Sequence, residues 1–159
     1  MIDFCDGSKY EGDLKCGNAH GQGALTLANG DRYTGYWENN KKHGFGSYEY
    51  ANGASYLGKW CDDLKHGFGQ TRFENGDIHE GNYYLGTIHG KGKLVYAFGA
   101  MYKGYFKGNK IEGFGCYITG SKTRYIGSWL DCKLHGAGMI HQSDGSRKTG
   151  LWELGKKMI

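Results

Sequence analysis

The chain has 159 residues, of which 30 are glycine and none is proline, with a net charge of +4 and 13 tyrosines, 7 phenylalanines and 4 tryptophans. Collagen needs glycine at every third position with abundant proline, and disordered chains are poor in aromatics, so both classes are excluded. A charge of +4 is too small an excess to argue for nucleic acid, and no nucleic-acid partner is expected.

Residues 1–13, MIDFCDGSKYEGD, lack the basic-then-apolar pattern of a signal peptide, and no apolar run approaches the ~20 residues of a membrane span. A cytoplasmic protein is expected, associated with cytoskeleton or membrane through a partner. Cys5, Cys16, Cys61, Cys116 and Cys132 are odd in number and include no C-x-x-C pair, so free thiols are expected rather than a zinc site or a disulfide frame.

An internal repeat runs through the chain. Steps of 23 residues from Tyr33 reach Tyr10, Tyr56, His79, Tyr102, Tyr125 and Lys148, and glycine follows each two residues later. His20, His43, His66, His89, Glu112 and His135 each head a Gly-x-Gly at the same step. Seven copies without an insertion between landmarks identify a repeat protein, a single array over 1–159 with repeats starting near 10, 33, 56, 79, 102, 125 and 148.

Within a repeat, Tyr33, Gly35 and Trp37 fall at two-residue spacing and share one face of a strand. The Trp phase reads Leu14, Trp37, Trp60, Tyr83, Phe106, Trp129 and Trp152, and the strand glycine leaves room for a ring to lie over it. After a polar stretch, His43-Gly44-Phe45-Gly46 is expected to turn the chain, because paired glycines tolerate positive φ or a bulge. A return strand follows with Gly46, Tyr48 and Tyr50 inward. Asn29-Gly30, Asn52-Gly53, Asn75-Gly76 and Asp144-Gly145 then read as two-residue hairpin turns. Near Thr119-Gly120-Ser121-Lys122 the turn glycine stands two residues early, so a different turn is expected there.

Y-x-G-x-W, a polar turn, H-G-x-G, a short alternating strand and N-G at a 23-residue period resemble MORN repeats, in about six and a half copies from Tyr10 to Gly155. The resemblance implies an all-β fold, an elongated, twisted, single-layer antiparallel sheet of tandem β-hairpins. It also implies a binding or tethering role in a cytoskeletal, ciliary or membrane-junction setting. Arrays of this family have been linked to anionic phospholipids, to helical or extended peptides, and to dimers.

The chemistry-bearing residue types form no catalytic set. Histidines one hairpin apart lie about 9 to 10 Å from each other, too far to share a zinc ion bound at ~2.1 Å, and each imidazole is expected to bond its local turn. Gly21-x-Gly23 lacks the third glycine of a dinucleotide fingerprint and leads to no helix. No enzyme, metal or cofactor is expected. The return-strand rings Tyr48, Tyr50, Phe73, Tyr96 and Tyr117 vary between repeats and form the expected partner-binding set, holding a peptide or helix in a concave aromatic groove. The alternative is a peripheral phosphoinositide-binding edge made by Lys41, Lys42, Lys65, Lys107, Lys110 and Lys133, each able to contribute about 1 kcal/mol at an anionic leaflet. A homodimer through a terminal repeat is the third reading.

Overall fold

Two-residue alternation dictates strands, and the residues between the alternating runs dictate how they turn. In a computed structural model, which describes residues 1–158, the strands are β1 (Ile2–Asp3), β2 (Lys9–Lys15), β3 (Asn18–Thr26), β4 (Arg32–Glu38), β5 (Lys41–Glu49), β6 (Ser55–Cys61), β7 (Leu64–Arg72) and β8 (Ile78–Tyr84). They continue as β9 (Thr87–Val95), β10 (Met101–Lys107), β11 (Lys110–Ile118), β12 (Arg124–Leu130), β13 (Lys133–His141), β14 (Arg147–Glu153) and β15 (Lys156–Lys157). The fold is all-β, one open antiparallel sheet of tandem hairpins whose strands neighbour each other in chain order. Two compact units divide it: a first of Met1–Asn75 with Tyr83–Gly86, and a second of Gly76–Asn82 with the chain from Thr87 on.

The leading strand of each hairpin carries the Tyr-x-Gly-x-Trp pattern, and in β4 all three residues are buried while the residues between them are exposed. Tyr33, Trp37, Tyr56, Trp60 and Tyr83 form the core of the first unit, and His79, Tyr102, Phe106, Ile111, Leu134 and Trp152 that of the second.

The turns differ from the sequence expectation. His43-Gly44-Phe45-Gly46 lies inside β5, and the chain reverses earlier, at Asn39-Asn40, with φ of 49° and 67°. Paired left-handed residues recur at Cys16-Gly17, Asp62-Asp63, Leu85-Gly86, Gly108-Asn109, Asp131-Cys132 and Leu154-Gly155. This is the type I′ geometry, whose twist matches that of the flanking strands. Asn52-Gly53 makes the other kind of turn, in which only Gly53 is left-handed, at φ 87°. Its N–H donates to the Tyr50 carbonyl at 2.9 Å and the Tyr50 N–H donates to the Ala54 carbonyl at 3.0 Å, the pattern of a type I turn followed by a left-handed residue. The Thr119–Thr123 connection also departs from expectation, because it keeps this same turn. The Lys122 N–H donates to the Thr119 carbonyl at 2.9 Å, and Lys122 occupies the left-handed position at φ 67°. The Thr119 hydroxyl accepts the Thr123 N–H at 3.1 Å, as the Asn52 side chain accepts the Ala54 N–H at 3.1 Å.

The Gly-x-Gly segment makes a bulge. Gly35 faces Gly46 while Trp37 faces Lys42, so Tyr36 alone opposes His43, Gly44 and Phe45. The Tyr33 hydroxyl donates to the Tyr36 carbonyl at 2.9 Å, and Tyr10, Tyr56 and Tyr102 make the equivalent bond to Asp13, Lys59 and Tyr105. To reach it the ring crosses the glycine pair, and a Cβ on Gly46 would stand 2.3 Å from the Tyr33 hydroxyl oxygen. From the next hairpin the Trp60 indole N–H donates to the Gly46 carbonyl at 3.2 Å, and Trp37 does the same to Gly23 at 3.1 Å. Where all three are present, tyrosine, glycine and tryptophan are parts of one device that closes the bulge.

Each tight turn also locks onto the hairpin before it. The Asn40 N–H donates to the Ala19 carbonyl at 3.0 Å while the Asn40 side-chain oxygen accepts the Ala19 N–H at 2.7 Å. Asp63 holds Lys42 and Asn109 holds Ile88 in the same way, and Cys132 substitutes a thiol sulfur, 3.4 Å from the Ile111 nitrogen.

Candidate functional site

Cross-strand pairing puts the Tyr-x-Gly-x-Trp residues and the expected partner-facing rings on one face. Tyr33 faces Tyr48, and Tyr102 faces Tyr117. The two units use that face differently.

In the first unit the rings are occupied by their own neighbours. Tyr48 packs against Tyr50 at 4.5 Å and Trp60 at 6.0 Å, and its hydroxyl donates to the Asp31 carboxylate at 2.8 Å. The other Asp31 oxygen accepts the Ala51 N–H at 2.8 Å. The Ala51 bond first and the Tyr48 bond second hold the Asp31 carboxyl below its ordinary range. The Lys42 ammonium lies 5.5 to 5.8 Å from the ring centres of Trp60, Tyr48 and Tyr33, and pairs with Asp63 at 3.3 Å. Lys65 lies over Tyr56 at 4.8 Å and over Tyr50 at 5.6 Å, and burial lowers its pKa. Phe73 stands half-buried just beyond β7.

In the second unit the positions equivalent to Lys42 and Lys65 are Ile88, Ile111 and Leu134, all buried and with no cationic head to cover the rings. Tyr96 stacks on Phe98 at 5.2 Å with 29° between planes, and meets Tyr117 at 5.9 Å and 67°. Tyr117 in turn approaches Trp129 at 6.2 Å and Tyr125 at 6.3 Å. These rings, with Trp152, line an open groove of about 540 Å³ whose floor is Ile111 and Leu134. Of the five rings singled out from sequence, the fold brings Tyr96 and Tyr117 together at this groove, and Tyr48 and Tyr50 together in the packed first unit.

The lysine edge does not form as a free row. Lys42 and Lys65 turn onto rings, for a physical reason: they directly face Trp37 and Trp60 across the strands. Lys41 pairs with Asp62 at 3.9 Å, Lys107 with Glu112 at 3.2 Å, and Lys110 with Asp131. Lys133 lies exposed at the groove margin. The histidines also depart from expectation. The Nδ1 atoms of His20, His43 and His66 are buried without a hydrogen bond, although a Glu38 carboxylate oxygen stands 3.5 Å from that of His43. The His135 Nδ1 accepts the Leu154 N–H at 3.5 Å, from the turn of the following hairpin rather than from its own. Among the described residues no His, Cys, Asp and Glu side chains group as a metal site requires.

The opposite face carries residues that the sequence reading left aside. Strand alternation assigns it Phe45, Phe68 and Phe114, which are 61%, 56% and 61% exposed. In the second unit the strand registers align its side chains in rows across the strands. One row runs Val95, Met101, Ile118, Arg124, His141, Arg147, and the next Lys93, Lys103, Cys116, Ile126, Met139, Thr149. Each row alternates two phases of the repeat, with Met101, Arg124 and Arg147 holding one and Val95, Ile118 and His141 the other in the first row.

A protein-family profile described as MORN repeat matches residues 10–32, 33–55, 56–78, 79–99, 102–124 and 125–147. No curated protein sequence matches the chain. Solved structures similar to it include the TCP domain of SAS-4 from Drosophila melanogaster in complex with a proline-rich motif of Ana2. That domain is 14% identical, with 95% of this chain and 88% of that one covered and a TM-score of 0.54. The TCP10c domain of Drosophila melanogaster Sas-4 is 13% identical over 86% of this chain and 96% of that one, with a TM-score of 0.44. The CPAP G-box domain is 13% identical over 96% and 97%, with a TM-score of 0.41. The six profile matches follow the 23-residue step found in the residues themselves, and their landmarks are the Tyr, Gly and Trp groups that close the bulge where all three are present, so the chain belongs to the MORN-repeat family.

Proposed function

We propose that the chain is a non-catalytic scaffold that captures a proline-rich, extended segment of a partner protein in the aromatic groove of the second unit. The observation that carries this reading is the uncovered ring set at Tyr96, Phe98, Tyr117, Tyr125 and Trp129 around about 540 Å³ of open volume. A polyproline II segment arrives with its conformation already restricted, and grooves lined by aromatic rings recognise it through ring contacts and hydroxyl donors. The structural likeness to a domain whose structure holds a proline-rich motif supports the same choice of ligand. The same likeness supports a cytoskeletal setting. Within the originally expected set, contact is assigned to Tyr96 and Tyr117, and a packing role to Tyr48 and Tyr50.

The test is fluorescence anisotropy of the full chain with a labelled proline-rich peptide. Tyr96→Ala combined with Tyr117→Ala should weaken binding by roughly tenfold or more, as loss of central aromatic contacts does. Tyr48→Ala should leave affinity within about twofold. Undiminished binding by the double variant sinks the assignment.

A further inference from the structure

The second unit has a second usable surface, on the sheet face opposite the aromatic groove. Arg124, His141 and Arg147 lie directly opposite one another on the adjacent strands β12, β13 and β14. Lys93 and Lys103 lie directly opposite each other on β9 and β10. Cross-strand neighbours stand about 4.5 to 5.5 Å apart, and like charges so placed destabilise a sheet. Among the described residues, no carboxylate lies within ion-pair distance of Lys93, Lys103, Arg124 or Arg147. Of the carboxylates that alternation assigns to this face, Glu80 on β8 lies across from Lys93, since Gly81 meets Gly92, and Glu153 is the last residue of β14.

The first unit shows what a balanced version of the same row looks like. There Arg32 faces Glu49, and Glu49 holds the repeat phase that His141 holds in the second unit. The exchange of a carboxylate for an imidazole leaves Arg124 and Arg147 without a carboxylate across the strands. Between the cations runs a half-buried aliphatic strip, Met101 and Ile118 in one row and Ile126 and Met139 in the next.

We infer that this face docks an extended acidic polypeptide segment that presents carboxylates and aliphatic side chains together on one face, using Arg124, Arg147, Lys93 and Lys103 as the charged contacts and the His141 imidazole as a polar one. Charge complementarity selects an anionic occupant, and alternation selects its kind. Apolar and cationic side chains are interleaved at strand spacing, about 4.8 Å across and about 6.8 Å along, which fits the side-chain spacing of a polypeptide. Unstacked bases would need a ring platform, and the rings assigned to this face, Tyr105 and Phe114, lie two rows away from the Arg124 cluster.

The experiment uses the full chain and a short fluorescein-labelled peptide in which glutamate and leucine alternate at every second position with serine between them, and a second peptide with serine in place of each glutamate as its partner probe. The acidic peptide should bind, more weakly as salt is raised, and the serine peptide should not. Arg124→Glu with Arg147→Glu should weaken binding roughly tenfold or more, and Lys93→Glu with Lys103→Glu should do so independently. All four side chains are exposed, and circular dichroism verifies that the sheet persists. Tyr96→Ala with Tyr117→Ala, on the other face, should leave this binding unchanged, which separates a failure here from a failure of the groove. Absent peptide binding, affinity indifferent to both charge reversals, or tighter binding to a single-stranded oligonucleotide or to phosphatidylserine vesicles overturns the inference.

Discussion

The two units share every building phase and differ at the phases that decide accessibility. The first carries Lys42 and Lys65 opposite its tryptophans, so cationic heads lie over the rings and Asp31 ties down Tyr48. The second carries Ile111 and Leu134 opposite Phe106 and Trp129, and its rings line an open groove. Charge divides the same way. The first unit has 8 Lys and Arg against 10 Asp and Glu, and the second 12 against 6. Repetition supplies the sheet, and a few substitutions per repeat make one stretch packed and the other receptive.

Trp60→Ala gives the largest expected break. Trp60 is 5% exposed and touches Tyr33, Tyr48, Tyr56 and Lys42, so its loss should cost about 3 to 5 kcal/mol in urea denaturation of the full chain. Trp129→Ala, at a half-buried position beside the groove, should cost about 2 kcal/mol. Equal losses would contradict the contrast between a packed and an open ring set.

An intermediate effect is expected from alkaline pH. Burial pushes the hydroxyls of Tyr83 and Tyr102 up to about 12 from 10.0, and those of Tyr33, Tyr48 and Tyr56 further. A folded value above the unfolded one means that the contribution is complete below pH 10 and is lost as pH rises through the folded value. Stability should therefore hold at neutral pH and fall steeply from pH 10 upward. The first unit holds four of these five tyrosines. Tyr56→Phe should accordingly remove more of the alkaline loss than Tyr102→Phe, read by near-ultraviolet circular dichroism in moderate urea. The reverse order would break the comparison.

Lys122→Gly has the smallest expected effect and the opposite sign. A lysine at φ 67° carries a steric cost that glycine lacks, so the substitution should stabilise the second unit by about 1 kcal/mol. Its measurement is a shift of the urea midpoint to higher concentration with an unchanged slope.

The sheet was legible because its determinants recur. Tyr33, Gly35 and Trp37 announce a buried strand face, and their copies give the step and the hairpin order. The turns were misread because Asn-Gly is a general signal, whereas the tight reversals are made by pairs as unlike as Asn39-Asn40, Leu85-Gly86 and Asp131-Cys132, which share a conformation and no composition. The aromatic set was half legible. Tyr48 and Tyr117 hold the same phase of the repeat, but their fates depend on Asp31 and Lys42 in one case and on Ile111 and Leu134 in the other, residues outside their own strand pair's alternating pattern. The basic row was hidden because Arg124 and Arg147 hold a phase that Ser55, Ile78 and Met101 hold in other repeats, so the phase carries no constant charge.

The lock between each tight turn and the preceding hairpin bears on how such a chain reaches its structure. The turn bonds of Asn40 to Ala19, Asp63 to Lys42, Asn109 to Ile88 and Cys132 to Ile111 each close a loop of 21 residues. No distant closure is needed for any of them, so the entropic barrier to ordering a new hairpin is set by one repeat and does not grow with the number of repeats. Such an array zips, and a chain emerging from the ribosome can complete each hairpin against the last before the next has been made.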